Sequence, residues 1–226
     1  MGFAFLKKEA KMAGKYTKPE LRAMLHRSVF HIVAEDGIER VTVRKVSSGC
    51  GLSDPYIYQC YSDLPELMEN AFMEVDGKVV DLMNRLVMLS NGGLHSLDDL
   101  KNASWTMWKA YWDFLMRNPE QTIFYWRYYQ SGYYTRETQK ARYKNYASFI
   151  SYIVRLLDFT GISDKINLDV IMSNIIDNTV SVAVKIHLGF MKPDEITART
   201  VYQSAFALIF HMLGIDVWGD DEVRES

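Results

Sequence analysis

The chain has 226 residues, of which 48% are hydrophobic and 24% charged, and its 26 Lys and Arg nearly balance its 28 Asp and Glu. This composition is typical of a folded protein with a sizeable core and excludes a largely disordered chain. Lys185 and His187 interrupt the longest apolar run, and residues 1–14 lack a continuous apolar stretch, so we predict neither a membrane span nor a secretory signal. Two cysteines, Cys50 and Cys60, favour a reducing cytoplasm and no metal or other cofactor.

Capping signals predict four N-terminal helices. A capping box at residues 17–20 begins the first helix, and Gly37 is a suitable terminator for it. Thr42 is expected to cap a short second helix, and Ser53 a third, because their hydroxyl groups can accept from free backbone N–H groups. The fourth helix is long and covers residues 63–89.

Loop signals divide the rest of the chain into further helices. The clearest break is at residues 91–93, after which Ser96 opens the next helix. Further breaks are predicted at residues 118–119, 131–132, 160–161 and 192–193. About nine helices and no strand result, so the predicted fold is all-α. We divide it into a basic arm (1–15), a helical domain (16–63) and a larger helical domain (64–226).

Charge is distributed unevenly about residue 63. Residues 1–63 carry ten basic and seven acidic side chains, a net charge of +3, whereas residues 64–226 carry 16 basic and 21 acidic side chains, a net charge of −5. Such asymmetry indicates that the two parts have different partners. The near-neutral total therefore does not exclude a nucleic-acid partner for the first part.

Residues 21–67 have the layout of a helix-turn-helix, in which the last of three short helices enters the major groove of DNA. The turn at residues 50–53 joins the last two helices, with Gly51 providing backbone freedom and Leu52 a core contact. Three helices with a glycine turn also occur in proteins that never bind DNA, so the layout alone leaves both interpretations open. The candidate DNA contacts are Thr42, Arg44, Lys45, Ser53, Asp54, Pro55, Tyr56, Tyr58 and Gln59.

Each side chain type suits a different part of the DNA. Gln59 can pair with both hydrogen-bonding groups of adenine, and Tyr56 can contact a thymine methyl group. Thr42, Tyr58 and the start of the third helix suit phosphate oxygens. The basic residues at 44 and 45 can reach either the backbone or a base.

Residues 25–67 resemble the DNA-binding domain of the tetracycline-repressor (TetR) family of bacterial regulators. The matching residues are Phe30, Gly37, the run from Val41 to Val46, Gly51 to Ser53, Tyr58, Tyr61, Glu66 and Leu67. The resemblance implies a homodimer with two such headpieces and a variable C-terminal domain that binds an inducer. Two positions depart from the family pattern: Leu64 replaces a phosphate-binding Lys, and Asp54 replaces a small or basic residue. Loss of one phosphate contact would reduce the slope of log K against log[salt] by about 0.9 for each headpiece.

Twelve aromatic residues lie between positions 105 and 134. Aromatic stripes at helical spacing usually pack as core, which is one interpretation. The other is a cavity for a flat apolar or aromatic ligand, or for an organic cation offset by Asp113 or Glu120. The family resemblance places an inducer pocket in this region. The candidate ligand-binding residues are Trp105, Trp108, Trp112, Tyr125, Trp126 and Tyr129.

Two long helices are predicted near the C-terminus, over residues 168–189 and 194–213. Each carries a stripe of branched and small side chains, so a two-fold axis could pair them into a four-helix dimer interface. They could instead cover the core of a monomer; the family resemblance favours the dimer. The candidate interface residues are Ile171, Asn174, Ile175, Asn178, Val182, Val201, Ala205, Leu208 and Ile209.

These features together predict a transcriptional regulator that binds a pseudo-palindromic DNA operator as a homodimer, and specifically a ligand-released repressor. The alternative is a ligand-binding protein on the same fold with weakened or lost operator recognition. The sequence shows no nucleophile–base pairing, metal-ligand spacing or glycine-rich phosphate loop, so we do not expect an enzyme.

Overall fold

The computed structural model describes residues 16–89 and 96–215. Within these ranges the chain forms ten α-helices, two short 3-10 helices and no strand, which confirms the predicted all-α fold. The predicted basic arm and the predicted break at residues 91–93 lie outside the described residues. None of the helices in the described ranges has the length and apolar character needed to cross a membrane.

The α-helices are α1 (Lys18–Asp36), α2 (Val43–Gly49), α3 (Pro55–Tyr58), α4 (Leu64–Leu89), α5 (Leu97–Arg117), α6 (Pro119–Tyr129), α7 (Arg136–Asn145), α8 (Ala147–Thr160), α9 (Leu168–His187) and α10 (Glu195–Leu213). The 3-10 helices are Ile38–Arg40 and Ser163–Lys165.

Most of the predicted helix starts are confirmed by their capping hydrogen bonds. The Thr17 N–H donates to the Glu20 carboxylate over 2.7 Å and the Glu20 N–H donates to the Thr17 hydroxyl over 3.4 Å, which together form the predicted capping box. The Lys45 N–H donates to the Thr42 hydroxyl over 3.2 Å, and the Asp99 N–H donates to the Ser96 hydroxyl over 3.1 Å. These side chains satisfy backbone donors that the first helical turn leaves free.

The predicted cap at Ser53 is wrong. Helix α3 follows Asp54 and has no side-chain cap, and the Tyr56 N–H bonds to the backbone carbonyl of Ser53 over 3.0 Å. The Asp54 carboxylate instead accepts a hydrogen bond from the Ser47 hydroxyl on α2. A contact between two helices has thus replaced a local cap.

The extra helix boundary falls at Tyr146, between α7 and α8, where the sequence has neither glycine nor proline. The Tyr146 hydroxyl donates to the Asp76 carboxylate over 3.3 Å, and the Arg142 guanidinium lies over the Tyr146 ring. Asp76 is 70 positions away in the chain. Local signals could not reveal this boundary, because the contacts that accompany it are long-range.

The chain divides into two compact units. Unit 1 comprises residues 1–75 and 123–138, and unit 2 comprises residues 76–122 and 139–226. Helix α4 therefore contributes residues to both units, and the predicted domain boundary at residue 63 stays a prediction.

The core of unit 1 centres on α1, which packs against the short helix α2. Leu25 and Val29 on α1, Val46 on α2 and Ile57 on α3 are completely buried. The helices α1 and α2 approach closely at Gly49, where an added Cβ would overlap the Ser28 hydroxyl. Glycine at this position keeps α2 tight against α1.

The core of unit 2 is formed by α5, α9 and α10, which pack against one another. Trp108 and Trp112 on α5 and Tyr202 on α10 are buried in it. The Trp108 and Tyr202 ring centroids are 5.4 Å apart. The aromatic residues of α5 therefore supply much of the apolar contact that holds α10.

Candidate functional site

The turn between α2 and α3 has the geometry that a helix-turn-helix requires. Gly51 has φ = +66°, a left-handed conformation that glycine adopts at little cost. The Leu52 N–H then donates to the Ser47 carbonyl over 2.9 Å, and the Leu52 side chain is buried between the helices. The Ser28 hydroxyl donates to the Val46 carbonyl over 2.9 Å and fixes α2 on α1. The orientation of α3 is thus set by backbone geometry and core contacts.

Helix α3 divides its side chains sharply between core and surface. Tyr58 is 58% exposed, and Pro55 and Gln59 are also exposed. Tyr56 is 3% exposed and Ile57 is completely buried, so these two residues anchor the helix. Burial of Tyr56 is inconsistent with the predicted contact to a thymine methyl group. The side chains free to meet a base edge are those at 55, 58 and 59.

The candidate contacts on α2 lie at its exposed N-terminal end. Thr42 and Arg44 are exposed. Lys45 is also exposed, but its ammonium group lies 2.8 Å from the Asp36 carboxylate. The hydrogen bond from Lys45 and its charge hold the pKa of Asp36 below the usual value. Arg44 is therefore a better candidate than Lys45 for a phosphate contact.

The two departures from the family pattern have different surroundings. Asp54 is exposed, and its carboxylate accepts the hydrogen bond from Ser47 described above, which holds one oxygen toward α2. Ser53 is half-buried in the turn, and Leu64 is half-buried at the start of α4. A half-buried leucine makes an apolar contact and supplies no donor for a phosphate.

A polar cluster that the sequence did not reveal links α1 to α4 within unit 1. His26 is buried, with its Nδ1 2.5 Å from the Glu74 carboxylate and its Nε2 2.6 Å from the Tyr61 hydroxyl. Burial raises the pKa of Tyr61, so its hydroxyl keeps its proton and can donate to His26. A neutral imidazole that donates from Nδ1 and accepts at Nε2 satisfies all three groups. The cluster fixes the start of α4 against the headpiece.

The candidate ligand-binding tryptophans stack on one another in unit 2. The Trp105 and Trp108 centroids are 5.6 Å apart, and the Trp108 and Trp112 centroids are 5.4 Å apart. The Trp108 indole N–H donates to the Thr179 hydroxyl over 3.0 Å. These contacts are those of a packed aromatic core, and the Trp108 indole needs no ligand to satisfy it.

The other three candidate ligand-binding residues belong to unit 1. Tyr125 stacks on Phe72 with centroids 5.0 Å apart, and Tyr129 meets Tyr134 edge-on at 4.7 Å. Trp126 and Tyr129 have centroids 6.4 Å apart. The structure thus brings the six residues together as two groups of three, one in each unit.

Unit 2 contains a buried polar centre that the sequence also did not reveal. Asp76 on α4 is completely buried, and its carboxylate accepts a hydrogen bond from Arg142 on α7 over 2.9 Å. Tyr146 donates to the same carboxylate. Burial raises the pKa of the Tyr111 phenol; Arg142 opposes this shift, and Asp76 and Asp177 reinforce it. Residues from α4, α5, α7 and α9 therefore share one electrostatic environment.

The candidate dimer residues form a mixed surface on α9 and α10. Ile171, Ile175 and Val201 are buried within the protomer. The residues that face outward, at least in part, are Asn174, Asn178, Val182, Ala205, Leu208 and Ile209. A slot of about 370 Å³ lies between the two helices. It is lined by Ile171, Asn174, Asp177, Asn178, Ser204, Ala205 and Leu208.

The cysteines and potential metal ligands show no built site in the parts of the chain that the structure describes. No group of three or more His, Cys, Asp or Glu side chains there could hold a metal ion. The Cys50 thiol donates to the Met24 carbonyl over 3.1 Å, and Cys60 is buried. Burial raises the pKa of both thiols, which disfavours the reactive thiolate.

Comparison with known proteins gives similarity in structure only. No family model and no curated protein matches the sequence. A TetR family transcription regulator from Marinobacter aquaeolei VT8 matches with a TM-score of 0.67 and 16% identity, over 83% of this chain and 94% of that one. A putative TetR family transcription regulator from Shewanella sp. PV-4 matches with a TM-score of 0.65 and 15% identity, over 87% of this chain and 98% of that one. The fatty acid degradation regulator FadR from Bacillus halodurans matches with a TM-score of 0.60 and 14% identity, over 82% of this chain and 94% of that one.

Proposed function

We propose that this chain, which has the fold of TetR-family transcription regulators, is a DNA-binding transcriptional repressor that a small ligand releases from its operator. The proposal rests on the two kinds of side chain at α3. Tyr56 and Ile57 are buried and anchor the helix, whereas Tyr58 and Gln59 are exposed beside them. A structural helix of a bundle does not need exposed side chains that can hydrogen-bond at these positions. A helix that reads DNA does, because its recognition side chains must extend into the groove.

The exposed residues supply the chemistry for both parts of DNA recognition. The major groove, about 12 Å wide, admits one helix, and the Gln59 amide can donate to and accept from an adenine there. Arg44 and the Thr42 hydroxyl suit phosphate oxygens, which position the protein without selecting sequence. Tyr58 can donate to a phosphate or pack on a sugar.

We propose that a second copy of the chain binds at α9 and α10. The exposed Leu208 and the half-buried Ile209 and Val182 are apolar groups that a partner would cover. Two headpieces related by a two-fold axis would meet half-sites one helical turn apart, about 34–36 Å, so the operator would be pseudo-palindromic. A homodimer of this type acts in the cytoplasm without a catalytic step.

Helix α4 is the element through which we expect the ligand to act. In unit 1, Glu74 ties it to α1, and in unit 2, Asp76 ties it to α7. A continuous helix carries a displacement of one anchor to the other, so a ligand that moves Asp76 would also move the headpiece. Because both half-sites must be met at a fixed spacing, a coupling free energy of about 1–3 kcal/mol would be enough to change operator occupancy.

The test is retardation of DNA from the protein's own promoter region at low salt. We expect the purified protein to bind it, and the double substitution Tyr58→Ala and Gln59→Ala to abolish specific binding. The matched control is Tyr143→Ala with Gln139→Ala on α7, which removes the same two exposed residue types outside the headpiece. Binding by the Tyr58 and Gln59 variant equal to that of the control would disprove the proposed reading residues.

The second candidate function is ligand binding with lost operator recognition. It is favoured by Leu64, which supplies no phosphate donor, and by the engagement of Lys45 with Asp36. It predicts only weak, sequence-independent DNA binding with a steep salt dependence. Equal retardation of promoter DNA and of unrelated DNA of the same length would establish this alternative.

A further inference from the structure

Asp54 lies at the start of the helix that the proposed function places in the major groove. Its backbone is helical, with φ = −52° and ψ = −37°, and the backbone of Gln59 at the other end of α3 is helical as well. Residues four apart share a face of a helix, so Asp54 lies one turn before Tyr58 on the same exposed face. The N-terminal end of a recognition helix is the part that contacts base edges.

A hydrogen bond fixes how the Asp54 carboxylate is presented. The Ser47 hydroxyl donates to its Oδ1, and Ser47 itself is buried on α2. Because one oxygen is held in this way, Asp54 is not a freely moving side chain. Its carboxylate is nevertheless exposed and keeps Oδ2 as a second acceptor. A side chain that is already held loses little conformational freedom when it accepts a further donor.

An ionised carboxylate discriminates between bases, because it can only accept hydrogen bonds. In the major groove cytosine presents its N4 amino group, which is a donor without an adjacent acceptor. Guanine presents two acceptors and thymine one, and adenine presents its N7 acceptor beside its amino group. A carboxylate is repelled by these acceptors. Asp54 therefore suits cytosine best among the four bases.

The DNA backbone offers Asp54 no favourable contact. Phosphate oxygens are negatively charged acceptors and bind to donors, which a carboxylate does not provide. The charge of Asp54 therefore weakens binding to all DNA, and this loss is offset only where a base donates to Oδ2. A residue of this kind contributes to specificity by rejecting wrong sequences as well as by binding the correct one.

We propose that Asp54 reads a cytosine in each half-site of the operator, and that the Ser47 hydroxyl positions its carboxylate for this contact. This inference rests on the proposed function, because it requires α3 to lie in the major groove. Gln59 follows about 7.5 Å further along the helix, more than twice the spacing of about 3.4 Å between successive bases. The cytosine and the adenine that Gln59 can pair with are therefore separate positions of one half-site.

Selection of bound duplexes from a random DNA pool, followed by sequencing, tests the contact. We expect the wild type to enrich a pseudo-palindromic motif with a cytosine at one fixed position of each half-site. Replacing this cytosine by any other base in the selected duplex should weaken binding at least about fivefold, which is the lower end of the usual cost of a mismatched base pair.

Asp54→Asn identifies the position that Asp54 reads. Asparagine has a similar size and can still bond with Ser47, but it replaces one acceptor by a donor and removes the charge. Bases that present acceptors are then no longer repelled, so the preference for cytosine should fall at least about fivefold at one position of each half-site. The other positions should keep their bases. A side chain that only ties α3 to α2 would change every position or none.

Ser47→Ala tests the positioning hydroxyl. It should weaken the preference for cytosine at the same position and leave the other positions as they are. The matched control is Asp81→Asn, which removes an exposed carboxylate from α4 in unit 2 and should give the wild-type motif.

The same experiment separates this proposal from the proposed function. Identical motifs for the wild type and Asp54→Asn would overturn the reading of cytosine by Asp54 and leave the proposed function intact. So would a wild-type motif that lacks cytosine at the position altered in Asp54→Asn. If the wild type enriches no motif and retards promoter DNA no better than unrelated DNA, the proposed function fails and this proposal fails with it.

Discussion

The two compact units place the groups of functional interest in opposite ways. In unit 1 the side chains suited to recognition, Tyr58 and Gln59, face outward, beside the buried Tyr56 and Ile57 that anchor α3. In unit 2 the groups of interest face inward, as the ion pair of Asp76 with Arg142 and the buried Asp177 Oδ1, to which no described residue donates. Outward groups can meet a polyanion at once, whereas inward groups respond only to a molecule that enters. The contrast supports the proposed function, in which unit 1 would read DNA and unit 2 would sense a ligand.

The units also differ in what holds them together. Unit 1 depends on close backbone approach at Gly49 and on neutral hydrogen bonds such as that from Ser28 to Val46. Unit 2 depends on the ion pair of Arg142 with Asp76, whose carboxylate is completely buried. Loss of one partner should therefore cost more in unit 2, since an unpaired buried charge is worse than an unpaired hydroxyl.

The largest effect is expected from Arg142→Met, which leaves the Asp76 carboxylate buried without its guanidinium. We expect the free energy of unfolding to fall by about 3–5 kcal/mol, measured by urea denaturation. The double variant Asp76→Leu with Arg142→Met removes both charges and should lie close to the wild type. The surface control, Arg199→Met, breaks an exposed pair with Glu195 and should cost about 0–1 kcal/mol. A loss for Arg142→Met no greater than for the control would contradict the contrast between the units.

A smaller effect is expected in unit 1 from Gly49→Ala. In a helix this change would ordinarily stabilise by about 1 kcal/mol, but here the added methyl group meets the Ser28 hydroxyl. We expect a net loss of about 1–3 kcal/mol from the forced separation of α1 and α2. Adding Ser28→Ala makes room and should recover part of the loss. A Gly49→Ala protein more stable than the wild type would show that α2 does not need this close approach.

Thr42 tests capping and DNA contact separately. Thr42→Ala removes the acceptor of the Lys45 N–H and should cost about 1 kcal/mol of unfolding free energy. Thr42→Ser keeps the hydroxyl and should be close to the wild type in both stability and DNA retardation. If Thr42→Ala weakens DNA binding at temperatures where its headpiece is fully folded, the hydroxyl contacts DNA as well as capping α2.

The smallest effect appears only at alkaline pH, where a buried tyrosine in each unit contributes, and the tyrosine of unit 2 tests it. Burial raises the pKa of Tyr128 in unit 1 and of Tyr202 in unit 2 from 10.0 to about 12. Because the folded pKa is the higher one, this contribution to stability is complete below pH 10.0 and is lost as the pH rises toward about 12. The midpoint temperature of unfolding should fall as the pH rises between these values, and it should fall less steeply in Tyr202→Phe. Ser104→Ala is the control, because it removes the hydrogen bond of the Tyr202 hydroxyl and keeps the tyrosine. If the midpoint falls with pH equally in Tyr202→Phe and in the wild type, Tyr202 does not contribute to the pH dependence of stability.

The sequence predicted features that depend on neighbouring residues. The cap at Thr42 follows from one hydroxyl at the correct spacing, and the left-handed turn at Gly51 follows from one residue type. The exposed positions 58 and 59 follow from helical periodicity. Burial of Tyr56 was not predicted, because a tyrosine suits both a groove contact and a core.

The features that the sequence did not predict depend on distant residues. His26 and Glu74 are separated by 48 positions, and Asp76 and Arg142 by 66. Each side chain in these pairs looks like an ordinary surface charge in its local sequence. Only the packing of α4 against α1 in unit 1, and against α7 in unit 2, makes them partners.

The spacing of Leu67 and Glu74 on α4 restricts how the chain can change. Leu67 is completely buried in the core of unit 1, and Glu74, two helical turns further on, meets His26 on α1. A single-residue insertion between them would turn Glu74 by about 100° around the helix axis relative to Leu67. The core contacts of Leu67 and the contact of Glu74 with His26 could not then both form on a straight helix. We therefore expect related sequences to vary in residue type along this part of α4 but to conserve its length, which a survey of insertions and deletions in homologues would check.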